Sequence, residues 1–240
     1  AVAFADEGVQ LRQNGIEAPI LLLGYTPGSS AEELLEYDLT PTVFDYQTAK
    51  EFSQAAVKMQ KKMKIHIKLD TGMSRIGFFC NINEDTEQIK REILAIGSLP
   101  MLEIEGLFTH FTTADEADGT YTRRQFSLFC HMADAIEEAG LHIPVKHVCN
   151  SAAIFQYPEM HLDMVRPGIV LYGLPPSDYM AEQALHLKPV MTVKTAVALV
   201  KEVPAGTYVG YGNTFCTKQP AKLATVPIGY ADGYVRALSN

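Results

Sequence analysis

The heaviest constraint on this chain is the regular exchange of two hydrophobic periods across residues 1–166. Pro19-Ile-Leu-Leu-Leu-Gly24 is a short, wholly apolar run, as expected of a parallel strand buried on both faces. Lys64-Ile-His-Ile-Lys-Leu-Asp70 alternates, with Ile65, Ile67 and Leu69 on one face and Lys64, His66, Lys68 and Asp70 on the other. Residues 1–5 read as a strand end. Pro41 to Asp45, Leu102 to His110, Val145 to Cys149 and Met164 to Arg166 read as further strands. Helical repeats fill the gaps. One opens at Asp6 and closes at Asn14-Gly15. A second runs from the Ser29-Ser30 cap to Glu36, and a third carries Ala49, Phe52, Ala55, Ala56 and Met59. Others are expected from Asn83 to Ile96, from Phe126 through Phe129, Ala133 and Ile136 to Gly140, and from Ser151 to Phe155.

Strands alternating with helices in this way predict βα units around a parallel sheet. Seven units with a clipped start predict a TIM-type (β/α)8 barrel lacking its first unit, since that fold takes eight units in about 250 residues. The texture changes after Lys188. Val190 to Val203, Thr207 to Tyr211 and Lys222 to Ile228 are strand-like, with Pro204-Ala-Gly206 and Gln219-Pro220 between them. The expected organisation is a barrel domain over residues 1–180 and the start of an all-β domain over residues 188–240. The linker falls between Pro175-Pro176 and Leu187.

Composition narrows the class. Of the 240 residues 47% are hydrophobic, enough for a sizeable core. Twenty Lys and Arg against 28 Asp and Glu leave a net charge of −8, the opposite of a nucleic-acid footprint. The densest basic stretch, Lys58 to Lys68, is interleaved with Met and Ile and reads as a solvated helix end entering a strand. No apolar run approaches the roughly 18 residues of a membrane span, and no secretory signal is present. Cys80, Cys130, Cys149 and Cys216 are scattered without a CxxC pair, so neither a disulfide framework nor a metal site is expected. A reducing cytoplasmic setting is the expectation. Ala1 stands where a Met would open a chain, which points to processing or to a fragment.

Functional residues of a parallel barrel gather where its strands end. Those ends carry Asp70, Arg75, His110, Asn150, Ser151 and Arg166. Each has a plain structural reading: a surface arginine, a satisfied core histidine, a helix cap at Asn150-Ser151. Together, six converging polar groups describe an anion site. Ser151 and the N–H groups of a helix start suit a phosphate, and the turn at Gly168 permits close backbone approach. Lys68 is the sharper anomaly, because the alternation of its strand turns it toward the barrel interior, where an unpaired ammonium is costly.

Lys68-Leu-Asp-Thr-Gly-Met-Ser-Arg-Ile-Gly77 resembles the substrate-site motif of the alanine racemase family, whose members depend on pyridoxal phosphate. Gly106 to Asp115, His147 to Ala153, Val165 to Ile169 and Leu171-Tyr-Gly173 resemble its later barrel blocks, in order. Tyr211-Gly-Asn-Thr-Phe215 and Pro227 to Gly233 resemble blocks of its C-terminal β-domain. The resemblance implies the interconversion of L- and D-alanine for peptidoglycan by two bases on opposite faces of pyridoxal 5'-phosphate. It implies that Tyr211 is the base reaching in from the partner of a homodimer, with His110 and Arg166 beside it. It implies further that Arg166 faces the ring nitrogen, that Arg75 orients the substrate carboxylate and that Tyr230 lines the substrate entrance. His147, Asn150, Ser151, Gly168 and Ile169 join Arg166 as cofactor contacts. Lys68 matches a lysine often carbamylated in relatives, which answers the anomaly above.

The family's Schiff-base lysine lies in an opening strand with no counterpart here, so this stretch is expected to be inactive alone. Two neighbouring readings are a serine or broad-specificity racemase on the same scaffold, and a truncated, non-catalytic protein that binds pyridoxal phosphate. A lone cofactor-carrying barrel is disfavoured by the blocks around Tyr211 and Tyr230.

Overall fold

Apolar strands too short to stand alone find their partners in parallel. The computed structural model describes residues 1–81, 86–183 and 186–238, which divide into two compact units, Ala1–Val190 and Met191–Asn240. In the first unit, β1 (Ile20–Leu21) pairs with β2 (Leu39–Thr40), and Val2 bridges Leu22 on the other side. Pro41 has no N–H to give, and the chain changes partner there: β2 pairs with β1, and the strand that follows the proline is β3 (Thr42–Val43). β3 pairs with β4 (Met63–Asp70), whose end is also joined by β5 (Phe78–Phe79). β4 pairs with β6 (Leu102–Phe108), and β6 with β7 (Val145–His147). Every one of these pairings is parallel, as the barrel reading requires.

Residues 164–166 were expected to form a strand, and among the described residues they do not. They are nonetheless tethered beside β7: Asp163 N–H donates to the Lys146 carbonyl and Arg166 N–H to that of Cys149. Two bonds three residues apart place a segment without making a ladder. The effect is to hold Arg166 at the carboxyl end of the sheet.

Helices cover the outside. α1 (Ala5–Gln13), α2 (Ala31–Glu36), α3 (Tyr46–Met59), α4 (Thr86–Gly97), α5 (Thr120–Glu138), α6 (Ser151–Gln156) and α7 (Asp178–Glu182) follow the strands in turn. The expected start of α4 at Asn83 lies outside the described residues. Asp45 begins α3 by accepting from Thr48 N–H at 2.7 Å, and Ala49, Phe52 and Ala56 bury one stripe of it. That stripe meets the outward residues of β4: Ile65, Ile67 and Leu69 are fully buried in one core with Phe52, Ile93, Ile96 and Phe129. The inward residues of β4 are polar and buried too: His66, Lys68 and Asp70. A strand buried on both faces with charge on one of them marks where the function lies. No helix among the described residues is long and apolar enough to cross a membrane.

The second unit is antiparallel. β8 (Leu199–Val203) pairs with β11 (Ala221–Thr225), and β9 (Tyr208–Val209) with β10 (Phe215–Cys216). The strand expected from Val190 begins only at Leu199. The buried Thr217 ties the intervening turn, its hydroxyl accepting from Thr207 N–H and donating to the Pro204 carbonyl. Tyr211 sits in a 3-10 turn between β9 and β10 and is 86% exposed. Tyr230 opens another such turn and is also exposed.

Candidate active site

The parallel strands deliver their carboxyl ends to one cavity of about 870 Å³. His110, Asn150, Ser151, Arg166, Gly168 and Ile169 line it, so six of the residues expected at the site are brought together. His147 lies directly behind them and is fully buried. Tyr211 and Tyr230 belong to the second unit.

Arg166 is the hub. Its Nη1 donates to His147 Nδ1 at 2.6 Å and to the His147 carbonyl at 3.0 Å. Its Nη2 donates to the carbonyls of Thr109 and Val148 at 2.7 and 3.1 Å and lies 3.4 Å from His110 Nδ1. Burial lowers its pKa only to about 10, so the guanidinium stays charged at neutral pH. The imidazoles around it do not. Burial, with Arg166 next, pushes His147 down to about 2 and His110 to about 3. A permanent cation held by neutral histidines and carbonyls offers hydrogen bonds to a ligand without giving up a proton.

Ser151 begins α6, and Asn150 caps it, its side chain accepting from Ala153 N–H at 3.1 Å and donating to the Phe111 carbonyl at 3.2 Å. Ser151 Oγ accepts from Gly168 N–H at 2.8 Å, joining the two segments. A side chain at Gly168 would touch only that oxygen, at 3.5 Å, so the backbone is open to a close ligand. Hydroxyl, helix-start N–H groups and bare glycine together fit a phosphate.

Arg75 lies in the loop between β4 and β5, exposed toward solvent. Asp70 shapes that loop by accepting from Gly72 and Ser74 N–H at 3.0 and 2.9 Å. The positive charge of Arg75 reaches both Lys68 and His110. Lys68 is 3% exposed, as the alternation of its strand suggested, and burial lowers its pKa to about 8. Asp70 opposes that shift, while Arg75 and Arg166 add to it.

Three neighbours of Arg166, namely Phe108, Thr109 and His66, and Glu105 behind His66, have no place among the site residues expected from the sequence. Phe108 stacks on His147 with centroids 4.7 Å apart. Thr109 contributes a carbonyl, which no side-chain pattern can announce. His66 was placed on the inward face with Lys68, and that face was the available signal.

An α/β barrel whose cavity is walled by a fixed guanidinium and by a helix start that Asn150 caps and Ser151 opens has the form of a small-molecule site suited to an anion. Comparison with known sequences narrows this: the chain belongs to the alanine racemase family. The model of the alanine racemase N-terminal domain matches residues 1–176 and that of the C-terminal domain residues 190–240. The alanine racemase of Clostridium perfringens (strain SM101) is 51% identical over 240 residues, 100% of this chain and 61% of that protein. That of Clostridium tetani is 48% identical over 99% of this chain and 60% of its own length. The solved alanine racemase of Clostridium difficile 630 superposes with a TM-score of 0.84 at 43% identity, covering 98% of this chain and 60% of that one. The alanine racemase of Bacillus anthracis with bound L-Ala-P gives 0.81 at 36% identity, over 98% of this chain and 60% of that one. The chain thus spans about three fifths of the length of the curated relatives it matches.

Proposed function

We propose that the protein interconverts L- and D-alanine, with pyridoxal 5'-phosphate as cofactor, and thereby supplies D-alanine for peptidoglycan. The observation that carries this reading is the state of Arg166: a charged guanidinium spent on neutral His147 and on three carbonyls, at the wall of a cavity with a phosphate cradle. Pyridoxal phosphate, when bound, supplies a conjugated ring that draws electrons from the α-carbon of an amino acid.

The chain's own residues divide the remaining work. Asn150, Ser151, Gly168 and Ile169 hold the phosphate. Arg166 donates to the ring nitrogen and keeps its proton, which limits how strongly that nitrogen draws charge and favours return of a proton to the α-carbon. His147 holds Arg166 from behind. Arg75 orients the substrate carboxylate, helped by a carbamate on Lys68. Tyr211 takes or returns the α-proton at its phenolic oxygen. A phenol ordinarily titrates near 10 and needs help to act as a base. His110 gives that help: with Nδ1 facing the Arg166 donor, its Nε2–H is left to donate to a phenolate. Tyr230 lines the substrate entrance.

Tyr211 stands at the tip of its own hairpin with its side chain in solvent, which suits a base offered to another subunit and supports a homodimer. The four free cysteines support a reducing cytoplasm.

The test uses the polypeptide as its gene encodes it, loaded with pyridoxal phosphate, in heavy water. Deuterium entering the α-position of L-alanine while D-alanine accumulates is the expected result. The absence of both signals from a cofactor-loaded protein sinks the reading, and faster turnover of serine moves it to a serine racemase.

A further inference from the structure

The hydrogen-bonded line behind the cavity continues beyond His147. His147 Nε2 lies 2.9 Å from His66 Nδ1, and His66 Nε2 lies 3.4 Å from Glu105 Oε2. The other carboxylate oxygen takes the Lys64 ammonium at 2.6 Å. One placement of protons satisfies the whole line. A guanidinium donates and never accepts, so His147 Nδ1 accepts from Arg166. His147 therefore carries its proton on Nε2 and donates to His66 Nδ1. His66 carries its proton on Nε2 and donates to the Glu105 carboxylate, which only accepts. Both imidazoles are neutral and in the same tautomer.

The backbone is built to make this line. Ile65 of β4 stands opposite Ile104 of β6, but His66 stands opposite Gly106, so Glu105 is an extra residue in its strand. Such a bulge resets the alternation and re-aims a side chain. Glu105 and Gly106 both serve the interior as a result: the carboxylate reaches His66, and the glycine leaves room for it. A Cβ at Gly106 would stand on top of the His66 ring, against Nδ1. Phe108, the next inward residue, lies flat on His147 with an interplanar angle of 7° and fixes its plane.

We infer that Glu105 and His66 are positioning residues for Arg166, acting through His147. The carboxylate low in the barrel sets the proton on two successive imidazoles, so that a lone pair of His147 faces the guanidinium in the cavity wall. The role of Arg166 toward a pyridine nitrogen rests on the function proposed above; the line itself rests on this chain's residues alone.

The experiment labels histidine with 15N in the full-length protein, with and without pyridoxal phosphate, and reads tautomers from long-range proton–nitrogen spectra. The expected pattern at neutral pH is His66 and His147 neutral, each protonated on Nε2. A proton on His147 Nδ1, or on both of its nitrogens, overturns the inference without any substitution. Glu105→Leu leaves the His66 Nε2–H without its acceptor and should mix the Nδ1–H form into both rings, at the expense of the bond from Arg166 to His147 Nδ1. It should also weaken pyridoxal phosphate binding about tenfold, the worth of one ordinary hydrogen bond. Glu105→Gln loses the charge and the Lys64 pair but keeps an acceptor oxygen, and should restore the Nε2–H pattern and the affinity. A His147 signal unmoved by Glu105→Leu in a folded protein also overturns the inference. Racemisation with His147 on the wrong tautomer strikes this inference alone. The expected tautomers in a cofactor-loaded protein that does not racemise support it and strike the proposed reaction.

Discussion

The ammonium of Lys68 lies 5.1 Å from the centre of the Phe108 ring, in a residue only 3% exposed. A ring face offsets part of the burial of a cation. It does not offset all of it, since burial and the charges of Arg75 and Arg166 outweigh Asp70 and leave the amine titrating near about 8. A lysine whose folded pKa lies below its unfolded value destabilises the fold below that folded pKa. The cost fades as pH rises from 8 toward the unfolded value of 10.5. In buffer free of bicarbonate, Lys68→Met should therefore raise unfolding stability at pH 7 by about 1–3 kcal/mol. Urea titrations at pH 7 and pH 10 check this: the advantage should shrink at the higher pH, and an equal gain at both rejects the account.

The same shift prepares Lys68 for chemistry. With a pKa of about 8, roughly a tenth of the amine is unprotonated at pH 7. A neutral amine adds carbon dioxide, forming a C–N bond and releasing a proton, and the resulting carboxylate would offset the positive charge of Arg75 that now disfavours the ammonium. Adding 13C-bicarbonate should give a carbamate carbon signal that is missing in Lys68→Met. If the two proteins give the same spectrum, Arg75 is held by other means.

Acid should attack the site before it attacks the rest. Burial holds His147 near about 2 and His110 near about 3, both below the ordinary imidazole value of 6.5. Between those values and 6.5 the unfolded chain binds protons that the folded chain refuses. Stability therefore falls as pH drops through 6.5 and stops falling only below the folded values. His110→Gln should flatten that decline, because it removes one of the refusing groups. Calorimetric midpoints between pH 7 and pH 4 measure it, and parallel curves for the two proteins contradict the assignment.

The barrel strands could be read from the sequence because burial on both faces leaves a one-dimensional trace: apolar runs such as 20–23, or charge alternating with Ile65, Ile67 and Leu69. His110, Asn150 and Ser151 were legible because they follow strand ends, where a parallel sheet presents its polar groups; Arg166 was legible for the same reason although its segment is no strand, Gly168 as a turn, and Ile169 only through the family resemblance. Three kinds of feature were not. The tethered segment 164–166 looks apolar enough for a strand, but its pairing is decided by what lies beside it. The carbonyls that hold Arg166 belong to the backbone, so the identities of Thr109 and Val148 say nothing of them. Glu105 was hidden by the bulge itself, since a shift of one residue is invisible to any count that assumes strict alternation.

Gly77 closes the loop that carries Arg75. Its φ of +135° is a conformation that side chains resist, and a Cβ there would come within 2.6 Å of the Asp70 backbone nitrogen. The clash is with backbone, so no rotamer relieves it. Gly77→Ala should destabilise the barrel unit by about 2 kcal/mol or more, and it should loosen the Asp70 bonds to Gly72 and Ser74. Hydrogen exchange at those two amides, read beside the unfolding midpoint, checks both effects. Unchanged protection would mean that Asp70 holds the loop without help from the glycine.

Ser151 and Gly168 supply a prediction that needs no turnover. Their bond joins the start of α6 to the segment after Arg166, and it leaves a bare backbone at the cavity wall. A ligand that binds only the folded form raises stability by an amount set by its concentration over its dissociation constant. Inorganic phosphate should therefore raise the urea midpoint of the native protein. It should raise that of Ser151→Ala less, by the equivalent of about tenfold weaker binding, since one hydroxyl contact is lost. Pyridoxal phosphate should show the same ranking by fluorescence quenching. Chloride at matched ionic strength is the control, because a general salt effect would lift both midpoints alike. Equal protection of the two proteins by phosphate would remove Ser151 from the cradle and leave Gly168 and the helix start to hold the phosphate alone.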